Sequence, residues 1–151
     1  MSTFLLRNHK GYSLMEILVV ASIIVLLAGI SIPYLRKYQP NLKLNATARG
    51  LTSDMRLAQQ LTVTEQVVHI VSFDLGNDTY DILKLGATTT TIKSVEFDSV
   101  VSWQQITGLT DNQVVFNFYG GVSEAGQLIL VNTNNQTATI NIKPSGYIQL
   151  E

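Results

Sequence analysis

Polar and apolar positions along the chain change their rhythm three times. From Ile17 to Leu35 no side chain carries a charge. A helix of roughly 19 residues, rising 1.5 Å per residue, is about 28 Å long, close to the thickness of a bilayer's hydrocarbon core. This run predicts a membrane-spanning helix over about residues 14–35. Pro33 and Pro40 then bracket a polar stretch, Tyr34-Leu-Arg-Lys-Tyr-Gln-Pro40. A proline inside a helix removes one backbone hydrogen bond, so Pro33 is expected to kink it. Arg36 and Lys37 would anchor the span at the membrane surface.

After Pro40 a helical period resumes. Leu44, Ala48, Leu51, Met55 and Ala58 recur in alternating steps of four and three, which places them on one apolar stripe. Asn45, Arg49, Thr52, Arg56 and Gln59 fall beside it. Gly50 costs about 1 kcal/mol against alanine at an exposed helical position and marks a place where the helix could bend.

From Thr62 the period becomes two. Strands are expected at about 66–73, 80–85, 90–97, 100–106, 113–119, 127–131, 137–143 and 147–150. The clearest alternation sets Ala138, Ile140 and Ile142 against Thr139, Asn141 and Lys143, one face buried and one wet. Val114, Phe116 and Phe118 form a second such face. Turn signals separate the strands: Gly76-Asn-Asp78, Thr110-Asp-Asn112, Gly120-Gly121, Asn132-Thr-Asn-Asn135 and Pro144-Ser-Gly146. Connections this short favour antiparallel pairing, because a parallel crossover needs a dozen or more residues. The Thr88–Thr91 run reads as a polar sheet edge. The pattern as a whole predicts an α+β protein: a long N-terminal helix, transmembrane in its first half, packed by its second half on an antiparallel sheet or on two sheets.

Glu16 breaks the rule of a plain anchor. It stands at the head of the apolar run, where ionised residues are costly, about 2.5–3.5 kcal/mol at a helix centre and less near an end. Two readings stand side by side: a carboxylate solvated at headgroup level, or a functional intramembrane charge. Upstream, Arg7 and Lys10 flank His9 in a short polar leader, a positive flank that should stay cytoplasmic and leave the bulk of the chain outside.

The whole stretch Gly11-Tyr-Ser-Leu-Met-Glu16 through Pro33 resembles the start of a type IV prepilin or type II secretion pseudopilin. That family has a short basic leader ending in glycine, an aromatic or apolar first mature residue, a glutamate at the fifth mature position, and a proline further along an apolar helix. The resemblance implies a leader over 1–11, a pilin helix over 12–61 and a C-terminal β-rich domain over 62–151. It further implies a prepilin peptidase cutting between Gly11 and Tyr12 and N-methylating Tyr12. Glu16 would pair with the N-terminal amine of a neighbouring subunit in a fibre. Other pilin or pseudopilin subunits and an inner-membrane assembly platform are the implied partners, and the bacterial inner membrane the implied location. Tyr12 departs from the commonest residue, phenylalanine, yet keeps the aromatic ring. The segment Ala48-Arg-Gly-Leu-Thr-Ser-Asp-Met-Arg-Leu-Ala58 and the ending Val115-Phe-Asn-Phe-Tyr-Gly120, Gly126-Gln-Leu-Ile-Leu130 and Ile140-Asn-Ile-Lys-Pro-Ser-Gly-Tyr147 are similar to the GspH/FimT group of minor pseudopilins. An ordinary secretory signal cleaved near Gly29-Ile30-Ser31 is the rival reading; its apolar region is usually only 7–15 residues long.

Composition narrows the chemistry. There are no cysteines among the 151 residues, which removes disulfides and thiolate metal sites. The net charge of −1 is uneven: from Leu57 onward three lysines face nine carboxylates, a formal −6. An acidic domain lacks the basic footprint that nucleic-acid binding requires, which speaks against a DNA-uptake role. No P-loop, G-x-G-x-x-G, G-x-S-x-G or H-E-x-x-H pattern occurs. His69, inside Val67-Val-His-Ile-Val71, is expected to be a strand histidine with one hydrogen-bond partner. Asp74, Asp78 and Asp81 lack the EF-hand spacing and its closing glutamate; because some members of the resembled family bind calcium, a calorimetric titration is the check. Trp103 is expected in the core. No cofactor or catalytic residue is expected. The predicted function is that of a non-enzymatic minor pilin or pseudopilin, with a DNA-uptake minor pilin, a signal-anchored domain and a membrane-anchored hydrolase as alternatives.

Overall fold

The computed structural model describes residues 11–151, so the predicted leader, Gly11 apart, lies outside the described residues. The chain forms two compact units, Met1–Lys37 and Tyr38–Glu151. One helix, α1 (Leu14–Glu65), contributes to both and passes through Pro33, Pro40 and Gly50 as a single element. In the first unit, Leu14–Ile32 has a mean hydropathy of 2.6 and no buried residue. By length and composition that segment is able to cross a membrane.

The second unit is an α+β domain in which residues 38–65 of α1 meet two antiparallel sheets. The strands are β1 (Val68–Asp74), β2 (Thr79–Leu85), β3 (Thr89–Glu96), β4 (Val101–Thr107), β5 (Gln113–Val115), β6 (Gly126–Asn132), β7 (Thr137–Ile142) and β8 (Ile148–Leu150). They pair in the orders β3-β2-β1-β5 and β4-β6-β7-β8. Seven strands lie within two residues of their expected ends. β5 is the exception, stopping at Val115 rather than at Tyr119. The cause is local: Asn117 Oδ1 accepts the backbone N–H groups of Tyr119 and Gly121 at 3.0 Å each. A short polar side chain that binds its own backbone competes with a sheet ladder and makes a turn. Gly120 supplies the left-handed φ of 85° that this turn needs. Phe116 keeps an isolated bridge to Val122, whereas Phe118 leaves the core and is half exposed.

The predicted helical stripe is the spine of the core. Leu44, Ala48, Leu51, Met55 and Ala58 are all buried, in one apolar cluster with Val71, Ile82, Phe116, Leu128 and Ile140. Ala138, Ile140 and Ile142 are buried as their alternation predicts, and so is Trp103, which packs edge-on to Phe73 at 5.2 Å between ring centroids. β3 is the exposed edge of its sheet, as the threonine run suggests. α1 ends without glycine: Gln66 turns to φ 55° and its N–H returns to Thr62 O at 3.1 Å.

Polar side chains beside the stripe tie the helix down. Asn41 Oδ1 accepts from Asn132 Nδ2 at 2.8 Å and from Asn134 Nδ2 at 3.1 Å. Lys43 Nζ lies 2.6 Å from Asp98. Gln59 Nε2 donates to the carbonyls of Gly120 and Gly146, joining the β5–β6 and β7–β8 turns to the helix.

Candidate functional site

Gly11, Tyr12 and Ser13 precede the helix in non-helical chain. The Ser13 carbonyl accepts the N–H groups of Glu16 at 3.0 Å and Ile17 at 3.2 Å, which starts α1. The Gly11–Tyr12 peptide bond therefore sits outside the helical hydrogen-bond ladder, with Tyr12 80% exposed. Exposed backbone outside a helix is what a protease can engage.

Glu16, Val20 and Ile24 follow one another at four-residue steps on one face of the helix, and with Tyr12, just before it, they line a shallow groove of about 350 Å³. Glu16 lies in the first turn of α1. Its carboxylate has no side-chain hydrogen bond or ion pair among the described residues, and its face is otherwise apolar. The positive end of a helix dipole offsets such a charge by only about 0.3–1 kcal/mol. The Leu14–Ile32 part of this helix has no buried residue, so the Glu16 carboxyl meets no opposite charge on any side chain among the described residues. Pro33 lies within α1, nearly five turns further along.

The other residues singled out in the sequence are not gathered into a site. His69 is fully buried on β1. Its Nδ1 lies 2.8 Å from Val67 O, the geometry of an N–H donor, and 3.2 Å from Thr62 Oγ1. The Thr62 hydroxyl donates to Ala58 O and accepts the His69 backbone N–H, so it links α1 to β1. His69 Nε2 has no hydrogen bond and lies 3.7 Å from Glu65 Oε2. Glu65 is engaged with Lys84 at 2.6 Å, which holds its carboxyl below the usual range. Asp74, Asp78 and Asp81 diverge. Asp74 caps its own turn through the N–H groups of Gly76 and Asn77 and the side-chain amide of Asn77, bonds that lower its pKa. Asp78 accepts the Trp103 N–H at 2.8 Å, and Asp81 faces Ser72 across the β1–β2 ladder. Among the described residues no three carboxylate or histidine side chains come together as metal ligands.

One polar cluster escaped the sequence reading. Asp54 is buried on α1 and accepts from the Tyr80 hydroxyl at 2.6 Å and from Lys93 Nζ at 2.8 and 2.7 Å. Burial, then the Asp54 carboxylate, push the Tyr80 hydroxyl well above its usual pKa. The signal was there to be used: Asp54 stands three residues after Leu51 and four before Ala58, inside the apolar stripe. Thr62, four residues beyond Ala58, continues the same stripe.

No protein-family model matches this chain, and no curated sequence does. Solved structures do. The minor pseudopilin EpsH of the type 2 secretion system of Vibrio cholerae superposes with a TM-score of 0.63 at 12% identity, over 72% of this chain and 96% of that one. The type IV minor pilin FimU of Pseudomonas aeruginosa gives 0.62 at 12% identity, over 76% and 92%. The solution structure of Escherichia coli GspH gives 0.57 at 19% identity, over 74% and 89%. The chain has the fold of these minor pseudopilins and pilins.

Proposed function

We propose that this chain is a minor pilin or pseudopilin subunit, made as a precursor, cut after Gly11 and assembled through its N-terminal helix into an envelope fibre. The observation that carries the reading is a single juxtaposition. A fold shared with minor pseudopilins is joined to an apolar helix that buries none of its span residues, headed by an accessible Gly11–Tyr12 bond and a Glu16 with no ion-pair partner among the described residues. Such a helix is stable in lipid, or in a bundle of like helices that replaces the lipid, and nothing among the described residues gives it other cover. Cleavage after Gly11 frees an α-amine on Tyr12, four residues from Glu16. That amine on one subunit and Glu16 on the next neutralise each other in an apolar bundle, where either charge alone is expensive.

The subunit does no chemistry of its own in this reading. Its partners are a prepilin peptidase, an inner-membrane assembly platform and other pilin-like subunits. The helix crosses the inner membrane once, N-terminus inward, and Pro33 loosens a backbone hydrogen bond near the outer end of the span.

The test is the mass and first residue of the mature protein taken from its native membrane. A chain that begins at N-methylated Tyr12 supports the pathway. An intact Met1, or a chain that begins near Ile32, overturns it. Glu16→Ala is expected to leave cleavage intact and to abolish or strongly reduce entry into fibres; normal incorporation of that variant would refute the pairing role.

A further inference from the structure

The first unit ends in a pair of cations. Arg36 and Lys37 follow the apolar span on the unbroken helix α1, and both are exposed. At 1.5 Å per residue, Arg36 lies about 6 Å and Lys37 about 7.5 Å beyond Ile32, where the span ends. A headgroup layer is about 5–7.5 Å thick on each side of the hydrocarbon core, so a spanning α1 puts both charges among the lipid phosphates. Tyr34, 76% exposed, lies about 3 Å beyond Ile32, at the depth where amphipathic rings settle. No carboxylate of the same unit answers these cations: Glu16 is its only acidic residue, about 30 Å away along the helix. Arg36 belongs to none of the ion pairs among the described residues.

The charge balance across the span changes on maturation. In the precursor, Arg7 and Lys10 flank the span on its inner side. A chain that begins at Tyr12 has no lysine or arginine before Arg36, which leaves only the Tyr12 α-amine, near Glu16, on that side. We propose that Arg36 and Lys37 bind the headgroups of anionic glycerophospholipids in the outer leaflet, and that this contact replaces the leader as the electrostatic hold on the mature subunit. The inference rests on the reading above in which α1 spans the membrane with its N-terminus inward. The occupant follows from continuity and from charge. The helix that meets acyl chains over Leu14–Ile32 carries the two cations to phosphate depth with no acid beside them. A guanidinium takes a phosphate in bidentate geometry and an ammonium takes it as a point charge. A zwitterionic headgroup offers the same phosphate with its own ammonium competing for it, whereas an anionic one does not. Successive helical residues are turned by about 100°, so the two cations address neighbouring lipids and not a single one.

The full chain is reconstituted in phosphatidylcholine bilayers, and motionally restricted lipid is measured by electron paramagnetic resonance. The probes are spin-labelled phosphatidylglycerol and spin-labelled phosphatidylcholine. The expected result is a preference for phosphatidylglycerol that weakens as salt is raised. Arg36→Gln and Lys37→Gln are each expected to lower that preference by about two- to fivefold, the effect of one exposed ion pair or of one cation at an anionic surface. Glutamine keeps the helix, because its propensity is close to that of lysine and arginine. Arg7→Gln with Lys10→Gln removes the leader's own share, and the losses at Arg36 and Lys37 are expected to persist on that background. A preference unchanged by Arg36→Gln together with Lys37→Gln overturns the proposal, as does an unaltered chain that restricts both lipids equally. A chain that restricts neither lipid shows that α1 does not enter the bilayer, and overturns the spanning helix along with this proposal.

Discussion

Replacing Asp54 by alanine removes one carboxylate and leaves two donors without their acceptor. The Tyr80 hydroxyl, on a residue 2% exposed, then has no partner, and a buried polar group left unsatisfied costs about 1–3 kcal/mol. Lys93, with a side chain 45% exposed, regains water and loses an ion pair worth about 0.2–1 kcal/mol. The expected destabilisation of Asp54→Ala is therefore about 3 kcal/mol. Tyr80→Phe leaves Asp54 still held by Lys93 and should cost about 1.5 kcal/mol, one hydrogen bond to a charged acceptor. In the double variant the orphaned hydroxyl is gone, so the two losses should fall short of additivity by more than about 1 kcal/mol. Urea unfolding of the domain from Tyr38 onward measures all three. Trp103, packed between Phe73 and Phe97 with ring centroids 5.2 and 4.8 Å away, is the fluorescent reporter. Losses that add to within about 0.5 kcal/mol, or an Asp54→Ala cost below that of Tyr80→Phe, would refute the claim that this carboxylate locks α1 to β2 and β3.

Titration and backbone variants extend the test. The folded pKa of Tyr80 lies above its unfolded value of 10.0, so its contribution is complete below pH 10 and is lost as pH rises beyond it; Tyr80→Phe should flatten the alkaline fall in urea midpoint. Glu65, Asp74, Asp98 and Glu124 have folded pKa values below their usual ones. Their stabilisation is present above the unfolded values of 4.5 and 3.8 and should disappear as pH falls through and below them. Lys43→Gln and Lys84→Gln, which remove the cations beside Asp98 and Glu65, should shrink that acid loss. Gly50→Ala should raise stability by about 0.5–1 kcal/mol, because a Cβ there meets open space on a helical backbone. Gly146→Ala should lower it by about 2 kcal/mol or more, since φ is 79° and a Cβ would strike the Gly120 carbonyl and the Gln59 amide. Thermal melts distinguish the two directions.

Most of the secondary structure was legible in the chain alone because it depends on periodicity, and the residues of the proposed N-terminal site are contiguous or nearly so. The apolar run to Leu35, the stripe Leu44–Ala58 and the alternation at Ala138–Ile142 each repeat a pattern that only one element buries well. Gly11, Tyr12 and Glu16 are near neighbours in sequence, just before and within the first turn of one helix, so no folding was needed to bring them together. Sequence could not place what depends on contact across the fold. That the eight strands divide into two sheets follows from registers such as Val71 with Val114 and Ile140 with Leu150, and alternation is the same whichever neighbour a strand takes. That β5 ends at Val115 was decided by the Asn117 side chain, which could equally have pointed to solvent. Asp54, Tyr80 and Lys93 lie on a helix and two strands; only the packed core makes a buried carboxylate tolerable by delivering both donors to it.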